Sequence, residues 1–329
     1  MKHISILAPL GNTSISNIES TYQIFSHVNG MLKDKGKAPL FDIQLVGLPS
    51  PKDLPQRRFM ATPHALINEV TATGLIIIPA LIGSPKDYIA LNQEFIPWIQ
   101  RQHRQGAEVA SFCVGAFLLA ATGLLNGRKC TTHWYSATAF RKMFPGALLV
   151  DDKIMTEDHG IYTSGGAFSY LNLLVYLVEK FAGREIAILI AKAYMIDIDR
   201  ISQSPFIIFQ GQKTHDDQSV KQAQEFIEEN YRDKITTDQL GDLLAISRRS
   251  LERRFKQATG NTINEYVQRV RVEAAKKEFE SSGKHVNEVM YQIGYSDIKG
   301  FKTLFKKVSG LSPTAYRNKY NKLLAGSDL

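Results

Sequence analysis

Cys113 stands at the end of the apolar run Val109-Ala110-Ser111-Phe112 and leads into Val114-Gly115-Ala116 and a stretch through Leu119, Ala121 and Leu124. A strand that passes through a nucleophile into a helix has the outline of an elbow that lifts the side chain above a sheet. The helix end supplies free N–H groups and a positive field, which favour a thiolate or a bound anion. His133, in Thr131-Thr132-His133-Trp134, is close enough in sequence to return beside the thiol as a base. That pair would attack acyl carbon, as a hydrolase or amidase does. Without turnover, Cys113, Val114, Gly115, His133 and Trp134 would line a small-molecule pocket.

A different chemistry lies near the C-terminus. Arg248, Arg249, Glu252 and Arg253 surround the apolar pair Leu251 and Phe255 at helical spacing. Fifty residues on, Ile298, Lys299, Lys302 and Thr303 stand in the same relation to Phe301 and Phe305. A helix that buries one stripe and offers the other to a major groove needs this arrangement. Arginine forks onto guanine O6 and N7 or grips phosphate, and Ile298 can pack on a thymine methyl. The offset extends to Ser247 and Asp297, Lys256 and Lys306, Gly260 and Gly310, and Tyr266 and Tyr316. A repeat of that period marks a duplicated supersecondary unit. Each copy reads as helix, tight turn and second helix, with Gly260 and Gly310 placed as left-handed caps.

Charge follows the repeat. Residues 247–322 hold 17 Lys and Arg against 7 Asp and Glu, a net of +10, which leaves −2 for the rest of a chain whose total is +8. Such concentration is an electrostatic footprint for phosphate. The 329 residues exceed one ordinary domain, and 44% hydrophobic with 22% charged is a globular composition. No apolar run is long enough to span a bilayer. Cys113 and Cys130 make a disulfide framework unlooked for, so a cytoplasmic setting is expected. His3, His27, His64, His103, His159, His215 and His285 show no metal-ligand spacing, and neither metal nor cofactor is expected.

The elements that must position these groups fall in two parts. Residues 4–8, 42–46, 74–79, 108–112, 148–150 and 161–163 read as strands, and 15–33, 87–105, 115–124 and 170–181 as helices. That alternation predicts a mostly parallel sheet covered on both faces. The polar stretch after Phe209, with Gly211 and Asp216-Asp217, predicts a connector over 201–218. Everything from 219 to 322 reads helical: Thr237 and Ser247 are expected caps, and residues 262–281 form a long helix between the two units.

Residues 247–319 resemble the AraC family of transcription regulators. The resemblance is carried by Ser247, Arg249, Leu251, Arg253, Phe255-Lys256, Thr259-Gly260, Tyr266, Arg271, Ala275, Gly294-Tyr295, Phe301, Phe305-Lys306, Gly310, Ser312-Pro313 and Tyr316-Arg317. It implies a bipartite reader of double-stranded DNA, usually an activator that contacts RNA polymerase. Val289-Met290-Tyr291 departs from the family's usual Ile-Ala pair.

Residues 3–195 resemble the ThiJ/PfpI branch of the class I glutamine amidotransferase-like superfamily. The matching residues are Ser111-x-Cys113-x-Gly115-Ala116, Ala121-x-Gly123-Leu124-Leu125-x-Gly127-Arg128, Thr132-His133-Trp134, Tyr162-Thr163-Ser164-Gly165-Gly166 and Ala182-Gly183-Arg184-Glu185. This implies an α/β flavodoxin-like sandwich over residues 1–200, followed by an all-α domain of two helix-turn-helix units. Joined to an AraC-type tail, such a domain resembles regulators that sense a small, often nitrogenous, metabolite and pair as homodimers. Enzymes of the superfamily commonly support the cysteine with an acid just after the first strand. The stretch Pro9-Leu10-Gly11-Asn12-Thr13-Ser14-Ile15-Ser16-Asn17 contains none, so a regulator rather than an enzyme is expected.

Overall fold

The computed structural model describes residues 1–49, 61–213 and 215–321. Position 214 of the expected connector and position 322 at the expected end of the helical domain fall outside them. The chain divides into two compact units, Met1–Gln203 and Ser204–Leu329.

In the first unit the strands are β1 (Lys2–Ala8), β2 (Phe41–Gly47), β3 (Ala65–Leu66), β4 (Leu75–Ile78), β5 (Glu108–Phe112), β6 (Lys129–Cys130), β7 (Leu148–Leu149), β8 (Met155–Asp158) and β9 (Ile161–Ser164). The helices are α1 (Ile15–Asp34), α2 (Pro85–Leu91), α3 (Phe95–Arg104), α4 (Ala116–Ala121), α5 (Ala137–Met143), α6 (Tyr170–Ala182) and α7 (Arg184–Ala193). The main sheet runs β3-β2-β1-β4-β5-β9-β8, parallel except for β8 against β9.

Strand alternation sends successive apolar residues to opposite faces. Ile4, Ile6, Leu75, Ile77, Ala110 and Phe112 pack beneath α1, α6 and α7. Ile76, Ile78 and Val109 pack beneath α2, α3, α4 and α5. This is the sandwich expected from the alternating pattern.

Four details differ. The helix expected over 87–105 breaks into α2 and α3, because Asn92 turns its amide to the backbone N–H and C=O of Leu10 instead of continuing the turn. Residues 148–149 leave the main sheet and pair with β6. The short strands β3 and β6, the edge strand β8 and the helices α5 and α7 had no expected counterpart. Thr236, not Thr237, caps the helix that follows it, accepting from the Gln239 N–H at 3.2 Å.

The second unit is helical: α8 (Gln218–Asn230), α9 (Thr237–Leu243), α10 (Arg248–Thr259), α11 (Ile263–Ser281), α12 (Val286–Gln292), α13 (Ile298–Ser309) and α14 (Pro313–Tyr320). It has two separate cores. Val220, Leu240, Leu251, Phe255 and Tyr266 make the first; Val272, Phe279, Met290, Phe301, Phe305 and Tyr316 make the second. The long helix α11 contributes to both. Its start carries a full capping box between Thr262 and Glu265.

Residues 204–213 are docked along this unit. The buried Lys276 ammonium holds the Ile207 carbonyl and pairs with Glu273, whose carboxylate accepts from the Phe209 N–H. Gly211 lies so close to Tyr266 that a Cβ there would sit 2.5 Å from its hydroxyl. Among the described residues, no helix is long and apolar enough to cross a membrane, and no three metal-ligating side chains cluster.

Candidate nucleic-acid interface and candidate ligand pocket

The duplication seen in sequence persists in the burial and hydrogen bonds of the two recognition helices. Residues 251–260 and 301–310 share one burial pattern, with the first, fifth and ninth positions buried and the second, third, sixth and seventh exposed. Phe255 meets Tyr266 edge-on at 5.3 Å, and Phe305 meets Tyr316 edge-on at 5.5 Å. The Thr259 hydroxyl donates to the Phe255 carbonyl at 2.8 Å, and the Ser309 hydroxyl to the Phe305 carbonyl at 2.7 Å. Gly260 and Gly310 close α10 and α13 in the left-handed region, at φ 72° and 75°. The N-caps diverge. Asp297 accepts from the Lys299 and Gly300 N–H groups, while Ser247 makes no side-chain cap bond. The turns diverge too: the left-handed residue is Ala245 at φ 52° in the first and Gly294 at φ 83° in the second. Those positions are 49 apart rather than 50, so the second turn carries one more residue before its helix.

The exposed face of α10 divides the expected contact residues. Arg248 is held by Asp238 at 3.2 Å and by Glu252 at 3.1 Å, which also engages Glu252. Arg249 and Arg253 are exposed and, among the described residues, make no ion pair or side-chain hydrogen bond. On α13, Lys299 and Lys302 are likewise exposed and unpaired among the described residues. The Thr303 hydroxyl donates to the Lys299 carbonyl at 3.0 Å. Ile298 is half-buried against the second core. Exposed Lys306 and Lys307 follow on the same helix. Two stripes of unneutralised cations therefore flank the starts of two equivalent helices.

In the first unit, Cys113 sits on a sharp turn at φ 53°, a strained value for a residue with a Cβ. A 3-10 turn, Cys113–Gly115, then leads into α4. Gly115 is required by space: a Cβ there would stand 2.5 Å from the Pro79 carbonyl oxygen and 2.9 Å from that of Ile78. The Thr132 hydroxyl donates to the Cys113 carbonyl at 2.9 Å, which ties the His133 loop to the elbow. Trp134 lies beside His133 with ring centres 5.4 Å apart. Val114 is partly exposed, and its carbonyl accepts from the Tyr88 hydroxyl at 3.3 Å.

Burial opposes the thiolate that a helix end would favour. Burial pushes the Cys113 thiol up to about 11, outweighing a hydrogen bond from Val114 that acts the other way. Burial also lowers the His133 pKa and favours neutral imidazole. The His133 Nδ1 accepts from the Tyr135 N–H at 3.2 Å. Among the described residues no hydrogen bond joins it to Cys113. Iodoacetamide should therefore label both cysteines slowly at neutral pH, because burial pushes Cys130 to about 11 as well. The rates should climb steadily as pH rises toward that value. Fast labelling of Cys113 alone at pH 7, read by peptide mass spectrometry, would show an activated thiol.

Several residues at this site gave no sequence signal. Tyr88 on α2 is buried, and its phenol is pushed up by burial and by neighbouring Cys113. Asn17 is buried, and its side-chain oxygen accepts from the Ala80 N–H at 3.0 Å. Gln203 is also buried. Its amide donates to the carbonyls of Thr132, Asp151 and Lys153 and to the Thr131 hydroxyl, and it accepts from the Gly166 N–H. Each is placed by partners distant in sequence.

Comparison with known proteins agrees with both halves. Residues 240–319 match the helix-turn-helix domain family, and residues 56–180 match the DJ-1/PfpI family. The chain is 23% identical over 253 residues to the HTH-type transcriptional regulator GbdR of Pseudomonas aeruginosa, covering 77% of this chain and 68% of that one. It is 31% identical over 130 residues to isonitrile hydratase of Pseudomonas putida, covering 39% of this chain and 54% of that one. Its fold is like that of an AraC family transcriptional regulator from Pseudomonas putida, with TM-score 0.50 and 14% identity, over 59% of this chain and 100% of that one. With twin helix-turn-helix units on a basic tail and a parallel-sheet sandwich before them, the chain is a DNA-binding transcription regulator whose residues 240–319 match the helix-turn-helix domain family and whose residues 56–180 match the DJ-1/PfpI family.

Proposed function

We propose that α10 and α13 enter two successive major grooves on one face of a duplex, about 34 Å apart along its axis. A single chain would then read an asymmetric site. The observation that carries this reading is the shared burial pattern of the two helices, each leaving free cations on its outer face. Arg249 and Arg253 are the base-reading candidates on α10, with Lys299, Lys302, Thr303 and Ile298 on α13. Arg248 and Glu252, already joined to each other, position rather than read.

The DJ-1/PfpI domain then supplies the signal. A small metabolite, of the nitrogenous class, binds at the elbow among Cys113, Val114, Gly115, His133 and Trp134 and biases DNA binding. Such coupling requires the ligand to favour one state of the chain over another. Catalysis by Cys113 is the second reading, favoured by the strained elbow. The raised thiol pKa speaks against it, as does an imidazole whose Nδ1 is engaged by the Tyr135 N–H rather than by the thiol. Activation through RNA polymerase and pairing as a homodimer complete the proposal.

Footprinting of duplexes enriched from a randomised pool tests the groove assignment: two protected segments one turn apart are expected. Arg249→Ala or Arg253→Ala should weaken binding to an enriched site by about 1–3 kcal/mol, with relaxed preference at one base. Arg248→Ala should do less. A loss equal across all sequences would move the tested arginine to a phosphate. The six free cations named on α10 and α13 also set the salt response: between roughly 50 and 200 mM salt, affinity should fall about a thousandfold. An affinity that ignores salt contradicts the interface.

A further inference from the structure

The two cores of the second unit share α11 but not a common interior. A helix alone would leave the two bundles able to twist about each other. One side chain on its middle turn reaches both. The Arg271 guanidinium donates from Nε to the Tyr231 carbonyl at 2.6 Å and from Nη2 to the Asp233 carbonyl at 2.7 Å. Both carbonyls lie in the turn between α8 and α9. From Nη1 it donates to the Gly294 carbonyl at 3.1 Å, in the turn that precedes α13. The same guanidinium lies over the Tyr295 ring, 5.1 Å from its centre.

The two turns also touch directly. A Cβ on Gly294 would stand 2.2 Å from the Arg232 carbonyl oxygen, so the chain needs glycine there for the approach itself as well as for φ 83°. The donor geometry suits arginine alone, since a planar fork can hold three carbonyls at once and a lysine ammonium on one flexible stem cannot reach them together. Arg271 is half-buried, with its donors spent on backbone carbonyls.

We propose that Arg271 is a positioning residue that sets the spacing between the two half-sites this chain reads. It clips the first helix-turn-helix unit to the turn of the second, and so fixes the separation and rotation at which α10 and α13 meet DNA. The proposal rests on the two-groove reading. One inserted base pair turns the second half-site by about 35° and moves it by about 3.4 Å, a mismatch that a rigid clip cannot absorb.

The test uses the full chain and duplexes that the wild type enriches from a randomised pool, remade with one or two base pairs inserted between the protected segments. Wild type should lose about tenfold or more in affinity per inserted pair. In Arg271→Gln that penalty should shrink to about threefold or less, while affinity for a duplex with only the first half-site stays unchanged. Arg271→Lys, which keeps one bond, should fall between, and serves if Arg271→Gln loses its thermal transition. A purely structural role predicts a different result, one common factor lost at every spacing, and that result overturns the proposal. So does a wild-type chain that tolerates an inserted pair within threefold. A footprint over a single groove overturns the two-groove reading and the proposal with it; two protected segments with an unchanged spacing penalty in the variants overturn the proposal alone.

Discussion

Phe305→Ala is expected to cost about 3–5 kcal/mol, the range for removing a buried aromatic ring. Phe305 is fully buried and packs against Phe279 at 5.6 Å, Phe301 at 5.7 Å and Tyr316 at 5.5 Å. Collapse into the gap is limited on one side, because the Tyr316 hydroxyl donates to Glu280 at 2.5 Å. The loss is a large share of a domain stability of about 5–15 kcal/mol. The separate cores make the consequence local. In Phe305→Ala the second protected segment of a footprint should fade at low denaturant while the first survives. Phe255→Ala, the equivalent change in the first core, should reverse the pattern. Urea titration followed by footprinting reads both. A loss below about 1 kcal/mol, or both segments vanishing together in each variant, would show that the bundles do not hold their helices independently.

That duplication was the most legible part of the chain, for a physical reason. A helix that must bury one stripe and expose the other constrains residue type at every third or fourth position. The caps at Gly260 and Gly310 and the edge-on Phe–Tyr pairs add fixed points, so the repeat survives in the letters. The parallel sheet was legible because β1, β4 and β5 are buried on both faces and read as apolar runs. What escaped depends on partners far away. Nothing near Asn92 announces that it will leave the helix to hold Leu10, 82 residues distant. The edge strand β8 is polar and half-exposed, so it carries no strand pattern. Ala245 adopts a left-handed turn that the sequence would sooner assign to glycine.

The elbow shows the same limit at the functional site. A helix end does favour thiolate, but that argument sees only neighbours along the chain. The Cys113 pKa is raised by burial, and Tyr88 on α2 and the loop of Thr132 are among the neighbours that only the fold brings there. Arg248 makes the matching point on the DNA face. Its type and position equal those of a base reader; the i,i+4 partner Glu252 is visible in the sequence, but the second partner Asp238, ten residues back on α9, is brought there only by the fold.

Gly115→Ala should disturb the elbow of the first unit both in stability and in reactivity. The backbone at Gly115, φ −57° and ψ −21°, is ordinary for any residue, so conformational strain is not the objection. Space is. The new methyl would lie 2.5 Å from the carbonyl oxygen of Pro79, just past β4, and 2.9 Å from that of Ile78 at its end, and β4 cannot move without disturbing the centre of the sheet. Overpacking of this kind costs about 1–3 kcal/mol and at times more. The relief available is to push the Cys113–Gly115 turn outward, away from Pro79. That would uncover Cys113 and lower its pKa from about 11, so labelling at neutral pH should quicken even as stability falls. Gly30→Ala is the control. Gly30 is helical with nothing within 4 Å of the added carbon, so that change should gain up to about 1 kcal/mol. Chemical denaturation of both variants, with alkylation of Cys113 in the same samples, separates the two effects. A Gly115→Ala chain as stable as wild type and labelled no faster would mean that the elbow is not wedged against β4 at all.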